Sequence, residues 1–285
     1  MVSAQDSAKP KPKSNNAKSQ AQQQAKIQGP QPTEKKVYKE AGDTKLELWI
    51  WKPEGWKAED KRGAVVFYHG GGWRNGSPMA FSRQSAELAK LGMVAISVQY
   101  RLTSQSGVTI PDCVKDARSA FRWVRSHATE LGIDPTKIAA GGGSAGGHLA
   151  ATLATLDEVN DAKDDLSVST KPAALLLFNP AVKLDFRRAT EVTATKQEEL
   201  LKVSPYHHLK AGHPPTIIFH GDADNTVPID TVQAYAAKVK ELGGTCVMEV
   251  SPGDSHGYFN REPAYTKTLE KSISFLREQG LLAKE

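Results

Sequence analysis

With 285 residues, 39% of them hydrophobic and 24% charged, the chain can bury the core of one large α/β domain, and no apolar run nears the roughly 18 residues of a membrane-crossing helix. The net charge of +5 is concentrated in residues 1–32, where Lys9, Lys11, Lys13, Lys18 and Lys26 face Asp6 alone, a net of +4 that leaves +1 for the rest. A nucleic-acid-binding domain concentrates Lys and Arg on its folded surface, so that function is not expected. Cys113 and Cys246 fall in separate predicted elements and form neither a disulfide framework nor a metal-ligand spacing; they read as two packed thiols.

In chain order, residues 1–36 are rich in Gln, Lys, Ser, Ala, Asn and Pro and hold no aromatic, Tyr38 being the first. Such a segment buries too little apolar surface to offset its ordering entropy, which predicts a disordered tail or linker and a folded domain over residues 37–285. The start, MVSAQ, resembles the small-residue end of an export-signal cleavage site, without the apolar stretch that would precede it. The expectation is an exported protein, periplasmic or extracellular; a cytoplasmic start followed by a polar tail is the alternative.

Residues 45–52 alternate as a strand with Leu46, Leu48 and Ile50 on one face, and 64–68 is a continuous apolar run of the kind covered on both faces. A helix is predicted over 79–91 and a buried strand over 93–98. Residues 112–131 carry the clearest helical stripe, Val114, Ala117, Phe121, Val124, Ala128 and Leu131, with Gly132 to end it. A short strand at 137–140 leads into a helix at 145–156. Strands follow at 173–178, 216–220 and 246–250, with helices at 229–242 and 263–279. This alternation predicts an α/β fold with a mostly parallel central sheet and helices on both faces. Residues 183–212 interrupt it and read as loop and short helices over the sheet's edge, where substrates bind.

The stretch IAAGGGSAGGHLA, residues 138–150, fits two motifs. Gly141, Gly143 and Gly146 match a dinucleotide-binding fingerprint; Gly142, Ser144 and Gly146 match the strand-to-helix turn that presents a nucleophilic serine. The first expects a strand soon after the helix that ends in Asp or Glu. Here the next predicted strand ends at Phe178-Asn179-Pro180 with no acid, which disfavours an NAD-binding redox protein. The second expects an acid and then a histidine on loops after later strands. Asp224 follows the strand ending at His220, and His256 follows the strand ending at Val250, both where ligands meet open α/β sheets.

YHGGGW (68–73), QYRL (99–102), GGSAGG (142–147), HGDADNTVP (220–228) and DSHGY (254–258) occur in this order over residues 45–280. On these motifs the chain resembles the α/β-hydrolase superfamily, specifically carboxylesterases related to hormone-sensitive lipase and to acetyl and feruloyl esterases. Gln99 stands where many relatives have Asp, the Pro-Glu pair after Arg101-Leu102 is absent and no large N-terminal cap is visible, which favours the smaller, open esterases. The resemblance implies Ser144 as nucleophile, His256 as general base and later acid, and the second Asp of Gly-Asp-Ala-Asp, Asp224, as the orienting acid. A histidine suits the shuttle because free imidazole titrates near neutrality. Asp222 is the rival acid, otherwise a holder of its loop; Asp254 is too near His256 in sequence to be preferred. Among the other histidines, His69 is expected to brace the glycine loop, while His148 and His220 are expected to be packed. Backbone N–H groups of Gly71, Gly72 and Ala145 are the expected oxyanion donors. Trp73 is the candidate substrate contact, with packing against the core as its alternative.

The expected function is a serine carboxylesterase acting on short acyl esters, acetyl or feruloyl esters of plant polysaccharide among them, with no metal or organic cofactor. A serine peptidase of the oligopeptidase type is the alternative within hydrolases, although 285 residues leave no room for its gating domain. A non-catalytic binding protein on a hydrolase scaffold is the alternative outside them, against which the intact Ser, Asp and His speak.

Overall fold

The structure, a computed structural model, describes residues 29–184 and 197–284. Its strands are β1 (Glu34–Ala41), β2 (Thr44–Trp51), β3 (Arg62–Tyr68), β4 (Val94–Val98), β5 (Ile133–Gly143), β6 (Leu175–Phe178), β7 (Thr216–Gly221) and β8 (Cys246–Ser251). They form one eight-stranded sheet in the order β1-β2-β4-β3-β5-β6-β7-β8. β1–β2 and β2–β4 pair antiparallel, and every pair from β4–β3 to β7–β8 is parallel. The helices are α1 (Ser82–Lys90), α2 (Ile110–Ser126), α3 (Ala145–Thr155), α4 (Gln197–Lys202), α5 (Ile229–Glu241) and α6 (Ala264–Glu278).

The pleat decides which side chains meet which helices. Val66, Ile96, Ala140, Leu177 and Ile218 point to one face and pack with Val114 and Phe121 of α2, Leu149 of α3 and Val232 of α5. Val65, Phe67, Ala95, Leu176 and Phe219 point to the other and pack with Leu88 of α1 and Phe275 of α6. Central strands buried on both sides are apolar or pair what polar groups they carry: β4 is buried throughout, and its one hydroxyl, Ser97 Oγ, donates to Pro78 O at 2.8 Å.

Two expectations need correction. Residues 29–36 are not part of a disordered tail: Thr33 N–H donates to Ile50 O at 2.8 Å, Trp51 Nε1–H donates to Pro30 O at 3.2 Å, and β1 begins at Glu34. This edge strand is polar because one face meets water. Its charges are paired, Lys39 with Asp116 and Asp161 at 2.8 and 2.6 Å, and composition alone does not reveal partners on other elements. The rest of the predicted tail, residues 1–28, lies outside the described residues. The helix predicted to Leu131 stops at Ser126, where His127 caps Trp123 O with both its N–H and its Nδ1; Ala128 and Leu131 stay buried in the turns that follow. The described part of 183–212 holds the expected short helices, α4 and a 3-10 turn at Pro205–His208. Leu200, Val203 and Leu209 pack into the core on the α2–α3 side, and residues 185–196 lie outside the described residues.

Candidate active site

β5 runs straight into Ser144, whose backbone sits at φ 54°, ψ −119°, and α3 starts at the next residue. A non-glycine residue with positive φ is strained, and such strain persists only where neighbours over-determine it. Ser144 N–H donates to Phe178 O at 2.9 Å, while Ser144 O accepts from His148 N–H at 3.0 Å and from Ala181 N–H at 3.2 Å. The flanking glycines make room for the turn. A Cβ on Gly142 would lie 2.5 Å from Tyr68 O, and one on Gly146 would be closer still to the same oxygen. The glycines therefore let α3 begin against the end of β3 with the serine hydroxyl outward.

The three predicted side chains meet. Ser144 Oγ lies 2.9 Å from His256 Nε2, and His256 Nδ1 lies 2.7 Å from Asp224 Oδ2. Asp224 Oδ1 accepts from the N–H groups of Thr226 and Val227 at 2.8 and 2.9 Å. Burial alone would raise the Asp224 carboxyl; the bonds from His256, Val227 and Thr226 outweigh it and hold the group below the ordinary aspartate value. An ionised Asp224 fixes the proton on His256 Nδ1, so Nε2 is left to accept from Ser144. Asp222 is elsewhere, accepting from Gly253 N–H at 2.6 Å, and Asp254 accepts from Ser251 Oγ at 2.6 Å. Neither touches His256.

The loop after β3 passes alongside Ser144. Gly71, Gly72 and Trp73 have φ of 111°, 60° and 58°, and Gly71 O accepts from the N–H groups of Arg74 and Asn75. Among the described residues, the N–H groups of Gly71, Gly72 and Ala145 meet no hydrogen-bond acceptor, which leaves them open to an oxygen on the substrate. His69 braces this loop: its Nδ1–H donates to Gly70 O at 2.8 Å, and Tyr100 O–H donates to His69 O at 2.7 Å. Burial pushes the His69 imidazole down to about 4. Arg101, next to Tyr100, holds Asp116 with two parallel bonds at 2.7 and 2.8 Å.

Trp73 is turned inward. Its ring is buried, and its indole N–H donates to His148 Nδ1 at 3.1 Å, which is the packing given as the alternative to a substrate contact. His220 donates from Nε2 to Val227 O at 2.9 Å and stays 3.6 Å from Asp224 Oδ2, beyond hydrogen-bond distance. His213 is buried against Tyr235 at 2.8 Å. Cys113 and Cys246 are buried and unpaired. Among the described residues, no group of three His, Cys, Asp or Glu side chains is arranged to hold a metal ion.

Sequence reasoning missed Asn179. It is buried at the end of β6 with φ 35°, its N–H donates to Phe219 O at 2.7 Å, and its Oδ1 accepts from Gly257 N–H at 3.2 Å. It clamps the residue after His256 to the strand beside Ser144. The local signal was an Asn, tolerant of left-handed backbone, between a strand and a proline. Asn179→Gly suits the same φ without the side chain. It is expected to lower kcat about tenfold while Tm moves by no more than about 3 °C; kinetics and thermal melts on the pure variant check this.

Residues 48–179 and 187–239 match the family model BD-FAE. The chain belongs to the BD-FAE family. It is an α/β hydrolase of the carboxylesterase type, as the motif resemblance implied. The matched BD-FAE residues include Ser144 and Asp224 but stop before His256, whose place rests on the distances above. Thermogutta terrifontis esterase 2 phosphorylated by paraoxon is similar at 46% identity and TM-score 0.83, covering 88% of this chain and 96% of its own. The same esterase with propionate bound is similar at 45% identity and TM-score 0.83. The acetylxylan esterase of Xylanibacter ruminicola is 28% identical over 208 residues, 68% of this chain and 41% of its own. The probable carboxylic ester hydrolase LipM of Mycobacterium tuberculosis is 27% identical over 192 residues, 61% of this BD-FAE chain and 44% of its own. The chain thus spans less than half the length of these two curated relatives.

Proposed function

We propose that this protein is a serine carboxylesterase that cleaves short acyl esters through an acyl-enzyme. The observation that carries the reading is the unbroken hydrogen-bonded series from Ser144 through His256 to the ionised Asp224, beside open backbone N–H groups. In the first half-reaction Ser144 Oγ bonds to the acyl carbon, and its proton passes to His256 Nε2. The carbonyl oxygen gains negative charge and is held by the N–H groups of Gly71, Gly72 and Ala145. The bond to the alcohol oxygen then breaks, and that oxygen takes the proton from His256. Water attacks the acyl-enzyme with His256 again as base. Collapse releases the carboxylic acid and returns the proton to Ser144.

Short acyl groups are favoured because esterase 2 of Thermogutta terrifontis binds propionate and, in another structure, butyrate. Its modification by paraoxon supports a nucleophile of the same kind here. An acetylated polysaccharide as natural substrate has the acetylxylan esterase as its support. A panel of p-nitrophenyl acetate, butyrate and decanoate, with acetylated xylan, a feruloyl ester and an amino-acid p-nitroanilide, tests the reading. The expected kcat/KM is highest at two to four carbons and falls at least about tenfold at ten. Preference for decanoate would overturn the chain-length assignment, and cleavage of the anilide alone would restore the peptidase.

A further inference from the structure

Resting on the esterase reading, we propose that His148 is a positioning residue: a neutral imidazole that ties the Gly71–Trp73 loop to Val203 and so holds the loop's N–H groups in place beside Ser144. His148 is wholly buried, and both ring nitrogens are engaged. Nδ1 accepts from Trp73 Nε1–H at 3.1 Å, and Nε2–H donates to Val203 O at 2.8 Å. The two bonds admit one tautomer only. A second proton on Nδ1 would face the indole N–H, and burial keeps the ring from taking it by pushing the imidazole down to about 4.

The placement links three parts of the site. His148 stands one turn into α3, and its own N–H donates to Ser144 O at 3.0 Å. Its ring meets Trp73 edge to face, with centroids 5.2 Å apart. Trp73 needs such a hold because its φ of 58° is unfavourable for a bulky residue. On the far side, Val203 belongs to a segment strapped to the chain after β6. Tyr206 N–H donates to Val182 O at 2.8 Å, and Leu184 N–H donates to Ser204 Oγ at 3.0 Å. A residue kept only for packing at this depth would be apolar, since each buried polar atom costs free energy unless it is paired. The ring instead spans two chain segments that do not otherwise meet through a hydrogen bond among the described residues. Glutamine can reproduce this arrangement, with Oε1 for the indole and Nε2–H for Val203 O; phenylalanine fills the space and serves neither.

The test uses the full chain with His148→Phe, His148→Gln and, from the other end of the bridge, Trp73→Phe. In His148→Phe, kcat for p-nitrophenyl acetate should fall about 100-fold with KM little changed, the scale of an ångström-level misplacement. The inhibition constant of a trifluoromethyl ketone, whose adduct oxygen loads the same N–H groups, should weaken in parallel. His148→Gln should recover most of both. The Trp73 indole ¹⁵N–¹H signal reads the bridge without activity: it should move in His148→Phe and stay near its native position in His148→Gln. Trp73→Phe supplies the same kinetic comparison if His148→Phe does not fold. Native kinetics in His148→Phe or Trp73→Phe, an unmoved indole signal, or equal losses for Phe and Gln at 148 would each overturn the inference. A native protein that cleaves no ester on the panel would instead overturn the esterase reading, with the indole signal still deciding the bridge.

Discussion

Ser144→Ala is expected to cut kcat for p-nitrophenyl acetate by at least about 10⁴-fold, because among the described residues no other hydroxyl is hydrogen-bonded to His256 Nε2 to take its place. The fold should survive, since among the described residues Ser144 Oγ bonds to His256 alone and the turn is held by backbone bonds to Phe178, His148 and Ala181. Ser144→Gly adds a second measurement. It removes the same hydroxyl but also relieves a backbone at φ 54°, and such strain costs of order 1–3 kcal/mol. The glycine variant should therefore be as inactive as the alanine variant yet melt higher than it, by roughly 2–4 °C for each kcal/mol relieved. Turnover left intact in Ser144→Ala would remove Ser144 from the chemistry.

The second large effect is expected at Asp224. In Asp224→Asn the side-chain oxygen must stay on the N–H groups of Thr226 and Val227, because these donors need an acceptor and the amide NH₂ is not one. The new NH₂ then faces His256 Nδ1 and donates to it. That drives the proton to Nε2, where it blocks acceptance from Ser144. Loss of the working tautomer costs about 10⁴-fold in kcat in comparable sites. Asp222→Asn, whose carboxylate among the described residues accepts from Gly253 N–H alone, should stay within about threefold. Steady-state kinetics on the pair decide between the two acids, and a larger loss at Asp222 would reverse the assignment. Folding lowers the Asp224 pKa, so its contribution to stability is present above the ordinary aspartate value near 4 and is lost as pH falls through the lower folded value. Asp224→Asn should accordingly destabilise the protein more at pH 7 than at pH 3.

Much of this site was legible before any coordinates. Ser144, Asp224 and His256 could be ordered because each sits directly beyond a strand whose apolar run is plain, and because chain order separates this arrangement from a dinucleotide site. The sheet was legible for the same reason, with strands buried on both faces reading as continuous apolar runs. β1 was not, because its charges are held by partners outside it, Lys39 by Asp116 on α2 and Asp161 on the loop after α3, and Glu34 by Lys52 beyond β2, which its own pattern does not show. For Trp73 the sequence left substrate contact and packing both open, since nothing local says that its indole reaches a histidine 75 residues on. Asn179 escaped for a similar reason, since its partner Gly257 is 78 residues away. Residues that work through a single long-range bond leave no periodic trace.

The bonds from Ser144 N–H to Phe178 O and from Asn179 N–H to Phe219 O have a mechanical meaning. They are further rungs of the parallel ladder, placed one residue past the ends of β5 and β6. The serine and the clamp on the histidine loop therefore share the cooperativity of the central sheet and cannot loosen without unzipping it. The donor loop at Gly71–Trp73 hangs outside that ladder, held by its own turn, by Thr103 N–H on Trp73 O and by the Trp73 indole on His148. On the proposed reaction, adjustment to acyl groups of different shape falls to the loop, while Ser144 Oγ keeps the stiffness of the core.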